Sequence, residues 1–137
     1  MTQWPPPLLS ERPPELQIVL AVVVPALYGL ICGILLSVSG GAYLILSLLG
    51  IAGGIAAGFD HATPGEGALR GIAGGSLFGT LILLGHALVG GKAKVDLPNP
   101  HVVLPIATTI LAIAFGAIGG ALRARRIRAA NPPPVAL

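Results

Sequence analysis

Four long apolar segments alternate with short polar segments along the chain, and this pattern predicts four membrane-spanning helices. The segments cover about residues 15–37, 42–59, 64–89 and 101–128. About 20 apolar residues are enough for a helix to cross the hydrocarbon core of a bilayer. The pattern therefore predicts an all-α fold: a polytopic membrane protein built as a four-transmembrane-helix bundle.

Proline, threonine and glutamate mark where these helices begin and bend. In residues 63–66, Thr63 is a good N-cap and Glu66 can reach back toward it as a capping box, so a helix is expected to begin there. Pro25 lies inside the first helix and predicts a kink between Ala21 and Pro25. Because the first apolar run is about 21 residues long, we expect it to remain as a helix and not to be a signal peptide.

The two ends of the chain are rich in proline and are expected to be irregular. Residues 1–14 and 129–137 form these tails, and residues 15–128 form one compact membrane domain. Of the 137 residues, 54% are hydrophobic and 9% are charged, and the mean hydropathy is +0.88. Soluble domains carry about 25% charged residues. The chain therefore lacks the polar surface that would let it face water on all sides.

The positive charges predict the orientation in the membrane. Arg12, Arg70 and four arginines near the C-terminus fall on one side, and Lys92 and Lys94 on the other. By the positive-inside rule, both termini are expected in the cytoplasm. The excess of arginine over lysine, with abundant alanine and glycine, favours a bacterial inner membrane. The four C-terminal arginines are expected to anchor the chain to lipid headgroups, and no nucleic-acid partner is expected. They are Arg123, Arg125, Arg126 and Arg128.

Glycines recur four residues apart in all four predicted helices. Residues at this spacing share a helix face, and small-residue faces let helices approach closely in lipid, where association depends on close contact. This is the pattern of glycine-zipper packing. The predicted packing residues are Gly29, Gly33, Gly50, Gly54, Gly58, Gly67, Gly71, Gly75, Gly79, Gly116 and Gly120.

A nine-residue repeat predicts which helices meet. Residues 50–58 and 71–79 share the pattern G-I-A-G-G-x-x-x-G, so the second and third helices are expected to pair, with Gly54 opposite Gly75. These glycines lie in the cytoplasmic half of the predicted bundle, which should therefore be narrow. The outer half is then either a cavity above a closed waist or is filled by larger side chains.

Few residues have side chains that could take part in catalysis or metal binding. Asp60 and His61 lie in a short connection, and Glu66 and Arg70 are expected to form an ion pair across one helical turn. His86 lies inside the third helix, where an ionisable side chain is a functional candidate or bonds a neighbouring helix. No set of metal ligands, no cofactor motif and no activated nucleophile is evident.

These features predict a non-enzymatic membrane protein that acts through helix–helix packing. The first hypothesis is a structural or accessory subunit, whose partners are membrane lipids and other membrane subunits or copies of itself. The alternative is a small channel or carrier for a neutral or weakly selected solute. An enzyme is the third class, and the residues available to it are Asp60, His61 and Glu66.

Overall fold

The computed structural model describes residues 4–134, and its long elements are four helices. Each is long and apolar enough to cross a membrane, which confirms the predicted all-α, four-helix membrane fold. A short 3-10 turn, Leu9–Glu11, precedes the first of them. The four are α1 (Pro14–Val38), α2 (Gly40–Phe59), α3 (Pro64–Val89) and α4 (Val103–Ala130). Residues 1–3 and 135–137 of the predicted tails lie outside the described range.

The four helices give the bundle two distinct ends. The end where α1 and α3 begin and α2 and α4 finish is called the terminal side here. The opposite end, with the turn at Ser39 and the 90–102 loop, is called the loop side. At the start of α3, the Thr63 hydroxyl accepts a hydrogen bond from the Glu66 N–H (3.2 Å), and the Glu66 carboxylate accepts one from the Ala62 N–H (3.0 Å). Glu66 is therefore occupied in capping the helix.

Helix α1 contains a π-helical turn where the kink was expected. The turn covers Val19–Val23, and the N–H of Val24 bonds the carbonyl of Val19, five residues back. Pro25 follows directly and has no N–H to donate. Proline and π-turns both disturb the regular ladder of helical hydrogen bonds. The structure therefore has an irregular turn at this position, and the kink itself stays a prediction. The turn leaves the Leu20 carbonyl without a helical partner.

The helices pack in the cyclic order α1, α3, α4, α2. Helix α3 lies along both α1 and α4, and α4 also packs along α2, whereas α1 and α2 make few contacts, and so do α2 and α3. The predicted pairing of the second and third helices is therefore wrong. A Cβ on Gly75 would meet Thr108 and Ala112 of α4, and the nearest atom to one on Gly54 is the Phe115 Cβ at 3.7 Å. The repeat gives α2 and α3 similar faces, but similarity does not make two faces pack on each other.

Most of the predicted packing glycines lie where a neighbouring helix leaves no room for a side chain. A Cβ on any of nine would come within 3 Å of an atom of a neighbouring segment, in nearly every case a backbone atom. Gly50 and Gly54 differ, because their nearest neighbours are the side chains of Tyr28 and Phe115 at 3.1 and 3.7 Å. The nine are Gly29, Gly33, Gly58, Gly67, Gly71, Gly75, Gly79, Gly116 and Gly120.

The buried core of large side chains lies on the loop side. Cys32, Leu36, Tyr43 and Ile82 form it, and Ala93, Val95 and Leu97 of the 90–102 loop pack over it. The Lys94 N–H also bonds the Leu36 carbonyl at 2.8 Å, which ties the loop to the end of α1. Larger side chains thus fill this half. The terminal half of the bundle was expected to be narrow, and for α1 and α2 this is wrong. Helix α1 stays packed against α3 and α2 against α4, so α1 and α2 separate on the terminal side.

Candidate functional site

The separation of α1 and α2 leaves a cleft in the terminal half of the bundle, with α3 and α4 as its floor. Its volume is about 500 Å³, within the ~300–1,000 Å³ range of ligand pockets. Leu20, Val24 and Pro25 line it from α1, and Gly50, Gly53 and Ala57 line it from α2. The floor includes Gly71, Gly75, Thr108 and Phe115. The walls are therefore mainly apolar, and many of the lining residues are glycine or alanine.

Two aromatic rings close the cleft toward the loop side. Tyr28 of α1 and Phe78 of α3 both line it, and their ring centroids lie 5.9 Å apart. The Tyr28 hydroxyl donates a hydrogen bond to the Leu46 carbonyl of α2 at 2.5 Å. This bond joins α1 to α2 at the point where they begin to separate. The aromatic pair is therefore the inner end of the cleft.

Arg70 is the positively charged residue on the cleft wall. Its guanidinium turns away from the start of α3, so that a Cβ on Gly74, one turn further along, would lie 2.7 Å from its Nη1. Gly74 lies about 15 Å along the helix axis from Pro64. The predicted ion pair with Glu66 is not formed: across residues 4–134, no carboxylate oxygen lies within 4 Å of the Arg70 side chain. Glu66 instead caps its helix, and Arg70 points into the cleft.

The partner of Arg70 is a backbone carbonyl that α1 itself cannot satisfy. Arg70 Nη2 donates to the Leu20 carbonyl oxygen at 2.7 Å. In a regular helix this carbonyl would accept from the N–H of Val24, but that N–H bonds Val19 in the π-turn. The next residue along, Pro25, has no N–H. The irregular turn of α1 therefore creates the acceptor that holds Arg70 across the cleft.

The N-terminal segment covers the cleft on the terminal side. Leu9 is buried and lines the cleft, and its N–H bonds the Asp60 carbonyl oxygen at 2.9 Å. The Asp60 carboxylate, which also lines the cleft, forms an ion pair with Arg12 at 2.7 Å. Asp60 is therefore neutralised by Arg12, and its role in the structure is to hold the N-terminal segment against the end of α2.

His61 follows Asp60 in the connection between α2 and α3. Burial, aided by the positive charge of Arg70, lowers the pKa of His61, although Glu66 and Asp60 act in the opposite direction. Its Nε2 is buried and has no hydrogen-bond partner within the described residues. His61 is therefore held mainly in its neutral form.

The predicted role of Arg123 as a lipid anchor is wrong. Arg123 is 5% exposed, and its guanidinium carbon lies 5.4 Å above the centroid of the Phe59 ring. It follows Gly119 and Gly120 by about one turn on the face of α4 that packs against the end of α2 and the start of α3. Because Arg123 lies on this packed face, its side chain is buried inside the bundle. The other three arginines, Arg125, Arg126 and Arg128, are exposed.

His86 connects α1 and α3 outside the cleft. Its Nδ1 lies 2.6 Å from the Ser37 Oγ, near the loop side. The structure therefore places His86 in an interhelical hydrogen bond, apart from Asp60 and His61. No three His, Cys, Asp or Glu side chains come close enough to hold a metal ion anywhere in residues 4–134.

Sequence reasoning missed Arg70 and Leu20. The spacing of Glu66 and Arg70 predicts a local ion pair, which accounts for the arginine without a binding site. A signal was present, because a proline inside a membrane helix leaves a carbonyl unbonded and an arginine in a neighbouring helix can satisfy it.

Comparison of the chain with protein-family models, curated proteins and solved structures found no match.

Proposed function

We propose that the protein is a small, non-enzymatic membrane carrier that binds a mainly apolar solute in the cleft between α1 and α2. The observation that carries this proposal is the cavity of about 500 Å³, which is lined by apolar residues and small glycines. Ligand pockets have this size and this predominance of apolar lining with a few polar groups. Because the gap lies between two membrane helices, the solute would enter sideways from the lipid.

A carrier fits the geometry better than a channel. The loop-side half of the bundle is filled by Cys32, Leu36 and Ile82, each of which is at most 1% exposed. The pair of Tyr28 and Phe78 separates this core from the cleft. A channel needs a continuous path across the membrane. The cleft opens on one side of these residues, as expected for a binding site in one half of the membrane.

Filling the cleft from α2 tests the proposal. In Gly54→Leu the new side chain would enter the cleft, because the Gly54 Cβ position makes ordinary contact with Phe115 at 3.7 Å and needs no backbone shift. Gly41→Leu is the matched control: Gly41 lies on the same helix, and a Cβ there meets nothing within 4 Å. The probe is a photoreactive long-chain alcohol, added to the full-length protein in phosphatidylcholine nanodiscs.

We expect the wild type and Gly41→Leu to be labelled on cleft residues of α1 and α2, and Gly54→Leu to lose most of this labelling. Peptide mapping by mass spectrometry gives the positions of the label. Equal labelling of the two leucine variants at these positions would show that the cleft does not bind the probe. Flux of the probe through liposomes then distinguishes a carrier from a protein that only binds.

A structural or accessory subunit remains the second candidate, supported by the exposed small residues Ala52, Gly53 and Ala56 on α2, of which Gly53 and Ala56 also line the cleft. The glycine-zipper argument for it is weaker than expected, because most of the glycine faces pack inside the monomer. In this proposal a further subunit or a second copy covers the small face of α2. Crosslinking in mild detergent followed by blue-native electrophoresis tests it, and a clean monomer without co-purifying protein argues against it.

The bacterial inner membrane and cytoplasmic termini remain part of the proposal. Arginines on the terminal side, against Lys92 and Lys94 on the loop side, support this orientation through the positive-inside rule. The cleft would then open toward the cytoplasmic leaflet.

A further inference from the structure

We infer that the solute of the cleft is a single-chain amphiphile whose carboxylate binds Arg70 and whose hydrocarbon chain lies along the glycine-lined walls. This inference rests on the proposed binding function and specifies the chemistry of the ligand. It starts from a charge imbalance. Asp60 is paired with Arg12 at 2.7 Å, and the Arg70 guanidinium bonds a neutral carbonyl. Asp60 is near enough to act on Arg70 electrostatically, but no carboxylate oxygen lies within 4 Å of the Arg70 side chain in the described residues, and Asp60 is already paired with Arg12. The cleft therefore keeps a net positive charge.

Such a charge is costly in a membrane. Arginine stays protonated in proteins, so Arg70 cannot become neutral to avoid the cost. Charged side chains at membrane depth usually pair with an opposite charge or face a polar cavity. The Leu20 carbonyl accepts from one of the five guanidinium N–H groups. A carboxylate in the cleft would accept charge-assisted hydrogen bonds from others, in the arrangement that arginine and carboxylate groups commonly form.

The direction of Arg70 favours an anion that enters the cleft over one that stays at the membrane surface. Helical side chains usually lean toward the start of their helix, and arginines near a membrane surface extend toward water. Arg70 does the reverse, since its Nη1 lies beside Gly74. The phosphate of a two-chain lipid stays at the interface with the other headgroups. The carboxylate of a single-chain amphiphile can follow its chain into the cleft.

The dimensions favour a hydrocarbon chain over a partner helix. From Arg70 to Phe78, at the inner end of the cleft, the distance along α3 is about 12 Å. On α2 the lining runs from Leu49 to Asp60, about 16 Å, and a volume of about 500 Å³ spread over that length leaves a mean cross-section of about 30 Å². A helix about 10 Å across needs about 80 Å². An extended chain can lie in this space, along the cleft-lining Gly71 and Gly75 and ending against Tyr28 and Phe78.

The test compares probes that share one chain and differ in their headgroup. A photoreactive long-chain carboxylic acid, the matching alcohol and the matching amine are each added to the full-length protein in phosphatidylcholine nanodiscs at neutral pH. Cleft labelling is titrated for the wild type, Arg70→Gln and the control Arg128→Gln. Arg70→Gln removes the charge and keeps an amide donor. Arg128 is exposed near the end of α4, so its substitution changes the net charge equally without touching the cleft.

We expect the wild type to bind the acid at least about tenfold more tightly than the alcohol, because of a charge-assisted hydrogen bond, and the amine most weakly. Arg70→Gln should lower the affinity for the acid to that for the alcohol and leave the alcohol unchanged. Arg128→Gln should behave like the wild type. The order of the three probes on the wild type tests the inference even if Arg70→Gln does not fold.

Different negative results would refute the proposed binding function and the inferred chemistry of the ligand. If none of the three probes labels the cleft of the wild type, the proposed binding function is wrong. If the acid and the alcohol bind equally well, the cleft binds apolar solutes and the role of Arg70 is wrong. If unlabelled phosphatidic acid displaces the probe better than the free acid does, the ligand is a two-chain lipid and the single-chain inference is overturned. If instead an acidic membrane peptide crosslinks at position 70 in native membranes, the occupant is a protein helix.

Discussion

The interface between α3 and α4 gives the sharpest prediction about stability, at Gly71. A Cβ on Gly71 would collide with the carbonyl group of Ala112 and would lie 2.6 Å from the backbone nitrogen of Ile113. All three of the nearest atoms belong to the backbone of α4, so no side-chain rotation can make room. Gly71→Ala therefore requires the two helices to move apart. In lipid, where helix association depends on close packing, that movement loses contacts along the whole interface.

The magnitude follows from comparison with Gly53→Ala. Alanine is favoured over glycine inside a helix by about 0.5–1 kcal/mol, and this gain applies at both positions. A Cβ on Gly53 meets nothing within 4 Å. Overpacking of a filled interface costs roughly 1–3 kcal/mol. Gly53→Ala should therefore be neutral or slightly stabilising, and Gly71→Ala should be less stable than Gly53→Ala by about 1–3 kcal/mol, because the helix-propensity terms cancel.

Unfolding of both variants in mixed micelles with increasing dodecyl sulfate, followed by circular dichroism, measures this difference. If Gly71→Ala proves as stable as Gly53→Ala, α3 and α4 are not as close at this point as the structure shows.

Gly85→Ala extends the test to the interface between α3 and α1. The sequence gives no reason to expect a close contact at Gly85, but a Cβ there would collide with the Leu30 carbonyl oxygen, so this variant should also be destabilised.

Four further outcomes are expected. A double-mutant cycle with Ser37→Ala and His86→Gln should show a coupling of about 0.6 kcal/mol, because the two side chains are 2.6 Å apart; additive effects would contradict the bond. Asp60→Asn should speed hydrogen exchange at the Leu9 amide by releasing Arg12, and Arg12→Gln should do the same with no further effect in the double variant. The pKa of His61 is lowered in the folded protein, so the unfolded chain binds a proton at this histidine at a higher pH than the folded protein does. The free energy of unfolding should therefore fall as the pH drops below about 6.5. A His61→Gln variant that keeps the same pH dependence would contradict this. An impermeant thiol reagent added to intact cells should label Lys92→Cys and not Arg128→Cys, with the buried native Cys32 left in place; the reverse result would invert the proposed orientation.

The pattern of apolar residues was sufficient to predict the helices, but not how they pair. Length and hydropathy determine which segments span a membrane, and the capping residues Thr63 and Glu66 act locally, so both can be recognised in a single sequence. Pairing depends on which face meets which. Gly54 and Gly75 lie in similar repeats and both line the cleft, yet each faces α4 and not the other: a Cβ on Gly75 would meet the α4 backbone, whereas one on Gly54 only reaches the Phe115 side chain. The glycine spacing identifies a face that allows close approach, and it does not identify the helix that approaches.

The cleft was not predictable for a related reason. It exists because α1 and α2 separate, and separation is a property of the whole arrangement of helices. The bulky residues of the loop-side half pack into one another and under the 90–102 loop, so they fill that half and do not hold it open. Arg70 was closer to being found. Pro25 indicates an unbonded carbonyl in the first helix. Glu66 is assigned both to the cap of α3 and to the ion pair with Arg70, and because the cap takes Glu66, Arg70 needs another acceptor.

The packing order of the helices has a consequence for how the protein is made. Helices leave the ribosome in the order α1, α2, α3, α4, but the main partner of α1 is α3 and that of α2 is α4. A nascent chain that ends after α2 therefore leaves Gly29, Gly33 and Gly58 facing lipid, with no helix to cover them. Insertion of α3 gives α1 its partner, and α2 remains loosely held until α4 enters the membrane. The bundle is thus completed only when α4 is inserted, and a chain truncated before α4 should be recognised and degraded as unassembled.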